Sequence, residues 1–343
     1  MNERVLYLDW LRVIAITMVV TIHISGGIVQ VNYFDAPTNW LAANFYESIS
    51  RSAVSLFVMI SGAVLLGDNR EFQYKPFFTK RMSKLFIPLI GWSMIYYGYQ
   101  VFAEWYPSFS LKEFIVLFLT NGVSGHFWFM YMMIGLYLTV PIINVFIRHA
   151  KKRDIEYFLI LWIYASVIVK SMKFIWGYSF SIELYMVTNY IGYFVLGYYL
   201  HHFPLKRIWE KTAIVFGGIS IFVTFVLTYY DTKAAGGILQ EFWYENHAPN
   251  VLLSSIGIFL LCKNLFAKRK LGFVFHQISR LSYGIYLVHI LLMTMLSNKI
   301  IVVINELFHP AFSIPLHVVI FVTISCCLSF LLNKIPFLRK LVS

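Results

Sequence analysis

The first long apolar stretch of the chain, Tyr7 to Gly27, reads YLDWLRVIAITMVVTIHISGG. A run of about 20 such residues is what a helix needs to cross the hydrocarbon of a bilayer, and in lipid only helices and closed barrels satisfy every backbone polar group. Yet this run carries Asp9, Arg12 and His23, and ionisable groups at that depth are costly unless they face a protein interior or water. Arg12 and His23 are eleven residues apart, three helical turns plus about 20°. They therefore share one helix face, with about 16 Å between their levels. Asp9, one turn before Arg12, can pair with it. The pattern predicts a polar track down a transmembrane helix.

The rest of the 343-residue chain repeats the apolar theme. Mean hydropathy is +0.70, with 59% hydrophobic and 13% charged residues, whereas a soluble globular domain carries about 25% charged residues. This excludes a soluble fold and predicts an all-α integral membrane protein formed as a single transmembrane domain over residues 1–343. A net charge of +12 would suggest nucleic acid in a soluble protein, but here basic loops on one side of the membrane account for it, so no nucleic-acid partner is expected. Cys262, Cys326 and Cys327 give no disulfide framework and read as packing residues. The N-terminal apolar run lacks a small-x-small cleavage site, which marks it as an uncleaved first span.

Apolar windows mark about ten spans, at 10–31, 44–66, 85–103, 126–147, 155–171, 184–201, 212–230, 249–266, 281–303 and 314–332. Arg4, the loops 67–84 (with Arg70), 148–153, 202–211 and 263–280, and the tail together hold 21 Lys and Arg; the opposite connections hold five. By the positive-inside rule both termini are predicted to be cytoplasmic. The segment 108–122, SFSLKEFIVLFLTNG, is short for a span, and Ser110 precedes an amphipathic pattern as a good N-cap. It is expected to form an interfacial or re-entrant helix on the outer side.

A second costly charge, Arg51, lies in the second span one turn after Glu47. Counted from the outer end, Arg51 and His23 sit at nearly equal depth, so antiparallel helices could bring them together. Arg51 either locks helices by pairing with Glu47 or lines the same cavity as His23. The span ends SLFVMISGAVLL, where Ser61 and Gly62 allow close backbone approach. The next loop, YKPFFTKRMSKLFIPLI, places Lys80, Arg81 and Lys84 where a helix is expected to start. Its cations and N-terminal field could hold a phosphate, or serve only to set topology. GHFWFMYMMIGLYLTVP puts His126 and Trp128 at the outer end of the fourth span, as belt residues or as lining of an outward cavity. His289 is a further imidazole well inside a span, in SYGIYLVH, either as a packing or hydrogen-bonded core residue or as part of the site. No histidine has zinc-ligand spacing with a second ligand, so no metal is expected.

These stretches together resemble the membrane-bound acyltransferase family 3, which O-acylates bacterial cell-surface carbohydrates. The likeness is strongest to the compact branch typified by the enterobacterial common antigen O-acetyltransferase. The family's first-span motif, Arg followed by ten residues and His, is met by Arg12 and His23; SLFVMISGAVLL, Arg81 with Lys84, GHFWFMYMMIGLYLTVP and LSYGIYLVH match later signatures. Lys84 departs from the pattern, since many members carry a second Arg; it keeps the charge and loses the bidentate fork. The resemblance implies transfer of an acyl group, usually acetyl, from cytoplasmic acetyl-CoA to a hydroxyl of a cell-surface or lipid-linked carbohydrate, in a multi-pass protein of the bacterial inner membrane. With that reaction in view, the residues themselves suggest His23 as general base or acylated nucleophile, with Arg12 and Arg51 as catalytic partners, Arg51 stabilising an oxyanion or orienting an acidic sugar. Arg81 and Lys84, joined by Arg12 and with Lys80 beside them, are expected to hold the CoA phosphates, and Glu47, His126, Trp128 and His289 are candidates to meet the acceptor. The competing reading of the residues is a transporter or flippase of a glycan or small anion using the same polar track.

Overall fold

In a computed structural model, which describes residues 5–67, 72–178 and 180–342, the first apolar stretch forms α1 (Leu6–Val29). Arg4 and Arg70, which contributed to the predicted orientation, lie outside the described residues. α1 packs against α2 (Pro37–Ser50) and α3 (Ala53–Leu65), and against the later helices α12 (Pro249–Phe266), α13 (Phe273–Leu296) and α15 (Pro310–Lys334). With neighbours on so many sides it cannot afford a lipid face, which is why Leu11, Ala15, Ile16 and Val20 are fully buried. Its polar residues are thereby held inside protein.

No strand occurs among the described residues, and eight helical segments are long and apolar enough to cross a membrane. Six correspond one-to-one with expected spans near residues 10–31, 126–147, 155–171, 212–230, 249–266 and 314–332. The expected 44–66 span is α2 and α3 in tandem, interrupted at Arg51 and Ser52. The expected 281–303 span runs on through a π-helical turn, Ser297–Ile301, into α14 (Val302–Leu307). Two expected spans take another form. Residues 85–103 fall in α5 (Ser83–Phe102), which has the length but is less apolar than the eight. Residues 184–201 become a 3₁₀ turn, Tyr185–Val187, followed by α10 (Ile191–His202). Twelve residues span only about 18 Å, and Gly192 to Leu200 are buried without a break, so α10 is an internal helix.

Close packing of α10 on α3 rests on two glycines. A Cβ on Gly62 would lie 1.8 Å from the Phe194 carbonyl oxygen, and one on Gly197 would lie 2.0 Å from the Met59 carbonyl oxygen. The backbones touch where side chains are absent, the usual device for helix pairs in lipid.

Between α4 (Tyr74–Phe77) and α5 a π-helical turn, Phe78–Met82, keeps the chain helical. This corrects one expectation: the helix begins at Tyr74, so Arg81 and Lys84 sit about two turns inside it. The field of a helix N-terminus is confined to its first turn and does not reach them. The segment expected on the outer face forms α6 (Leu111–Leu119), where Ser110 accepts from the Glu113 backbone N–H at 3.3 Å and only Phe114 is buried. α7 (Trp128–His149), α8 (Lys152–Ile163), α9 (Val169–Trp176) and α11 (Arg207–Ala234) complete the set. Their outward faces carry exposed apolar residues such as Ile142, Ile160 and Phe222, as a lipid-facing surface requires.

Candidate active site

A cavity of about 530 Å³ runs beside α1 and is lined by both Arg12 and His23. The eleven-residue spacing, read from sequence as one face, places them about 16 Å apart along the same cavity wall. His23 is exposed although it lies inside a membrane-length helix, six residues before its end at Val29; the surface it exposes faces this cavity.

At the Arg12 end, Asp9 holds the guanidinium. Arg12 Nη1 donates to Asp9 Oδ1 at 2.8 Å, and Ser279 Oγ donates to the same oxygen at 3.0 Å. Arg81 and Lys84 line the cavity as well, and Tyr137 lies within the electrostatic reach of both Arg81 and Arg12. Arg81 is half-buried and Lys84 exposed, and neither has an acidic partner among the described residues. Two cations on a partly dry wall, without acidic partners among the described residues, form a place for an anion with several charges. Lys80 is exposed and does not line the cavity, since successive residues of a helix face different ways.

At the His23 end, Arg51 marks the break between α2 and α3. Its Nη2 lies 2.5 Å from Glu47 Oε2, and its guanidinium carbon sits 4.0 Å above the Tyr244 ring. Glu47 is fully buried, and its other oxygen accepts from Ser25 Oγ at 3.0 Å. Tyr244 is anchored by donation to Asn44 Oδ1 at 2.5 Å. Arg51 is thus paired with Glu47 one turn earlier and also lines the cavity. Glu47 stands behind it and does not reach the cavity wall.

Three imidazoles converge here. The His23 ring is 5.2 Å from the His289 ring and 6.4 Å from the His126 ring, and the last two are 5.6 Å apart. His126 lines the cavity and is held through Nδ1, 2.9 Å from Ser124 Oγ; Trp128, 37% exposed, lines the cavity beside it. His289 is fully buried behind His23 and does not line the wall. Among the described residues no group of three or more His, Cys, Asp or Glu is placed to hold a metal ion.

Several lining residues carried no signal in the sequence. Tyr244 and Asn246 come from the turn before α12, Tyr137 from α7, and Ser282, Tyr283 and Tyr286 from α13. In a chain with 23 tyrosines, an aromatic belt or core residue and a cavity residue look alike.

A family model described as an acyltransferase domain matches residues 5–334. The chain belongs to the acyltransferase 3 family. Members of this family are acyltransferases, most of them O-acetyltransferases, and this protein is a multi-pass membrane enzyme of that kind. No curated protein and no solved structure matches the chain. The match covers α1 through α15, so every wall of the cavity belongs to the acyltransferase domain.

Proposed function

We propose that this membrane acyltransferase moves an acetyl group from cytoplasmic acetyl-CoA to a hydroxyl of a cell-surface or lipid-linked carbohydrate, with His23 as general base. One observation carries the reading: Arg81 and Lys84, two cations without an acidic partner among the described residues, and an imidazole open to the interior share a single cavity that follows α1. In this reading both termini and the Arg81 end face the cytoplasm of a bacterial inner membrane, where the basic loops lie. The arrangement suits a donor whose charged phosphates stay near the cytoplasm while its thioester reaches the middle of the membrane.

Arg81 and Lys84, joined by Arg12, bind the phosphates, and the apolar wall between Arg12 and His23 accommodates the pantetheine arm. His23 accepts the proton of the acceptor hydroxyl as that oxygen bonds to the acyl carbon. The carbon–sulfur bond then breaks, and His23 returns the proton to the leaving thiolate. An imidazole suits both transfers because it exchanges protons near neutral pH. Arg51, fixed by Glu47 and Tyr244, supplies positive charge to the oxyanion that develops on the acyl carbonyl. Trp128 offers an aromatic face, and Asn246 a polar amide, to the sugar ring on the outer side.

The test follows radiolabelled acetyl-CoA in membranes holding wild type or His23→Ala. Label entering carbohydrate only with wild type is expected, and full activity of His23→Ala refutes the base assignment. If neither protein consumes acetyl-CoA, retained binding points to another acyl donor, and absent binding points to transport of a glycan or anion.

A further inference from the structure

His289 is a second imidazole beside His23, and its geometry fixes which of its nitrogens is available. Nδ1 lies 2.7 Å from the Tyr286 carbonyl oxygen and 3.1 Å from that of Ile285. Carbonyl oxygens only accept, so Nδ1 carries the proton and neutral His289 presents Nε2 as a bare lone pair. That Nε2 is buried and has no hydrogen-bond partner. A buried polar atom without a partner needs an explanation, and the nearest imidazole, His23 at 5.2 Å between ring centroids, provides one.

The surroundings hold His289 firmly. The Tyr96 hydroxyl donates to the Leu287 carbonyl at 3.0 Å and accepts from the Leu291 N–H at 2.9 Å. These are the two partners of one helical rung, so a hydroxyl from α5 is inserted into the α13 ladder at the turn that carries His289. Tyr286, whose carbonyl takes the His289 proton, donates its own hydroxyl to the His126 carbonyl at 2.6 Å. His289 is thus oriented from two directions, while no carboxylate among the described residues is paired with His23: the nearby Glu47 is committed to Arg51 and Ser25.

We infer that His289 is the positioning residue for His23, accepting a hydrogen bond from one His23 ring nitrogen through its bare Nε2 and leaving the other nitrogen free to act as base. The inference rests on the reading of His23 as general base. The two rings are 5.2 Å apart between centroids, and catalytic contacts that are long in the free enzyme commonly tighten only when substrate is bound. When His23 takes the acceptor proton, both of its nitrogens carry hydrogen, and the N–H facing His289 stays satisfied. His289 remains neutral throughout, since its own proton is held by the two carbonyls, so no proton passes to it. A neutral imidazole here fills the orienting place that a carboxylate fills in other base–orienter pairs.

The experiment compares the full-length protein with His289→Leu, His289→Gln and His23→Ala in membranes, using radiolabelled acetyl-CoA and the membranes' own carbohydrate as acceptor. His289→Leu is expected to lower turnover by about 100-fold, the lower end of what general-base catalysis contributes, with the KM for acetyl-CoA within twofold of wild type. His289→Gln, whose amide oxygen can accept in place of Nε2, is expected to recover at least tenfold over His289→Leu. Equal impairment of the two variants, a change confined to KM, or wild-type turnover of His289→Leu overturns the inference. If His289→Leu fails to insert, Tyr96→Phe replaces it: a fall in turnover at unchanged KM is expected, and unchanged turnover overturns the inference. Activity surviving in His23→Ala defeats the base assignment itself, whereas a dead His23→Ala beside a fully active His289→Leu defeats only the role of His289.

Discussion

Arg81 and Lys84, the two cavity cations without acidic partners among the described residues, offer the most direct test of where the donor's phosphates lie. Arg81 is half-buried on the cavity wall. A guanidinium and a phosphate about 4 Å apart attract by about 4 kcal/mol at an effective dielectric of 20. Desolvation and screening return most of this, and a charge-assisted hydrogen bond contributes about 1.5–3 kcal/mol net. Taking the lower end for a half-buried group, Arg81→Ala should raise the KM for acetyl-CoA about tenfold. Lys84 is exposed, where a single ion pair is worth little, so Lys84→Ala should raise it about twofold and lose even that in high salt. Neither should alter kcat, because phosphate binding is the same in the ground and transition states. The decisive assay substitutes S-acetylpantetheine, which carries the thioester but no phosphate. Arg81→Ala should leave kcat/KM for this short donor unchanged. An equal loss with the short donor, or a fall in kcat with the full one, would refute the placement of the phosphates.

Other consequences follow from the packing of charges and glycines. Glu47→Leu leaves Arg51 without its buried partner, and breaking such a pair costs about 3 kcal/mol; Glu47→Gln should cost less than half as much, both read from thermal unfolding in detergent. Gly197→Ala would drive a Cβ to 2.0 Å from the Met59 carbonyl and should sharply lower the yield of folded protein, whereas Gly218→Ala, with nothing within 4 Å, should be neutral. Trp128→Ala should raise the acceptor KM about tenfold while leaving that of acetyl-CoA unchanged, as removal of an aromatic face would; a change in the acetyl-CoA KM instead would move Trp128 to the donor side.

What the sequence makes legible here depends on how rare a residue is in its setting. Arg12, His23, Arg51 and Glu47 stand out because a charge inside an apolar run has no cheap explanation. Part of their mutual placement could also be read: helical period fixes the face that Arg12 shares with His23. The depth expected for Arg51 rested on a span starting at residue 44, whereas α2 starts at Pro37, and it is the shared cavity that brings Arg51 and His23 together. Ser110 was equally readable, because an N-cap depends on four consecutive residues. Local irregularity defeated the same reasoning at residues 74–84, where a π-helical turn carries the helix through a stretch that resembles a helix start. At residues 184–201 a full-length span was expected, but the Gly62 and Gly197 contacts let a short helix be buried from Gly192 to Leu200. Tyr96, Tyr244 and Tyr286 were invisible for a different reason. Tyr244 meets Asn44 across 200 residues of sequence, and the Tyr96 hydroxyl acts on α13 from 191 residues away.

Such long-range roles leave no periodic trace, and tyrosine is common enough in this chain to hide them. The division has a physical basis. The bilayer makes each buried charge expensive, so the groups proposed for chemistry are conspicuous one by one. Aromatic residues sit in or beside lipid at little cost, so the groups that hold the chemistry in place are lost in the background. His289 lies between the two classes. Its imidazole is conspicuous, but its bearing on His23 depends on the Tyr96 hydroxyl and the Tyr286 carbonyl, which only the folded chain brings together.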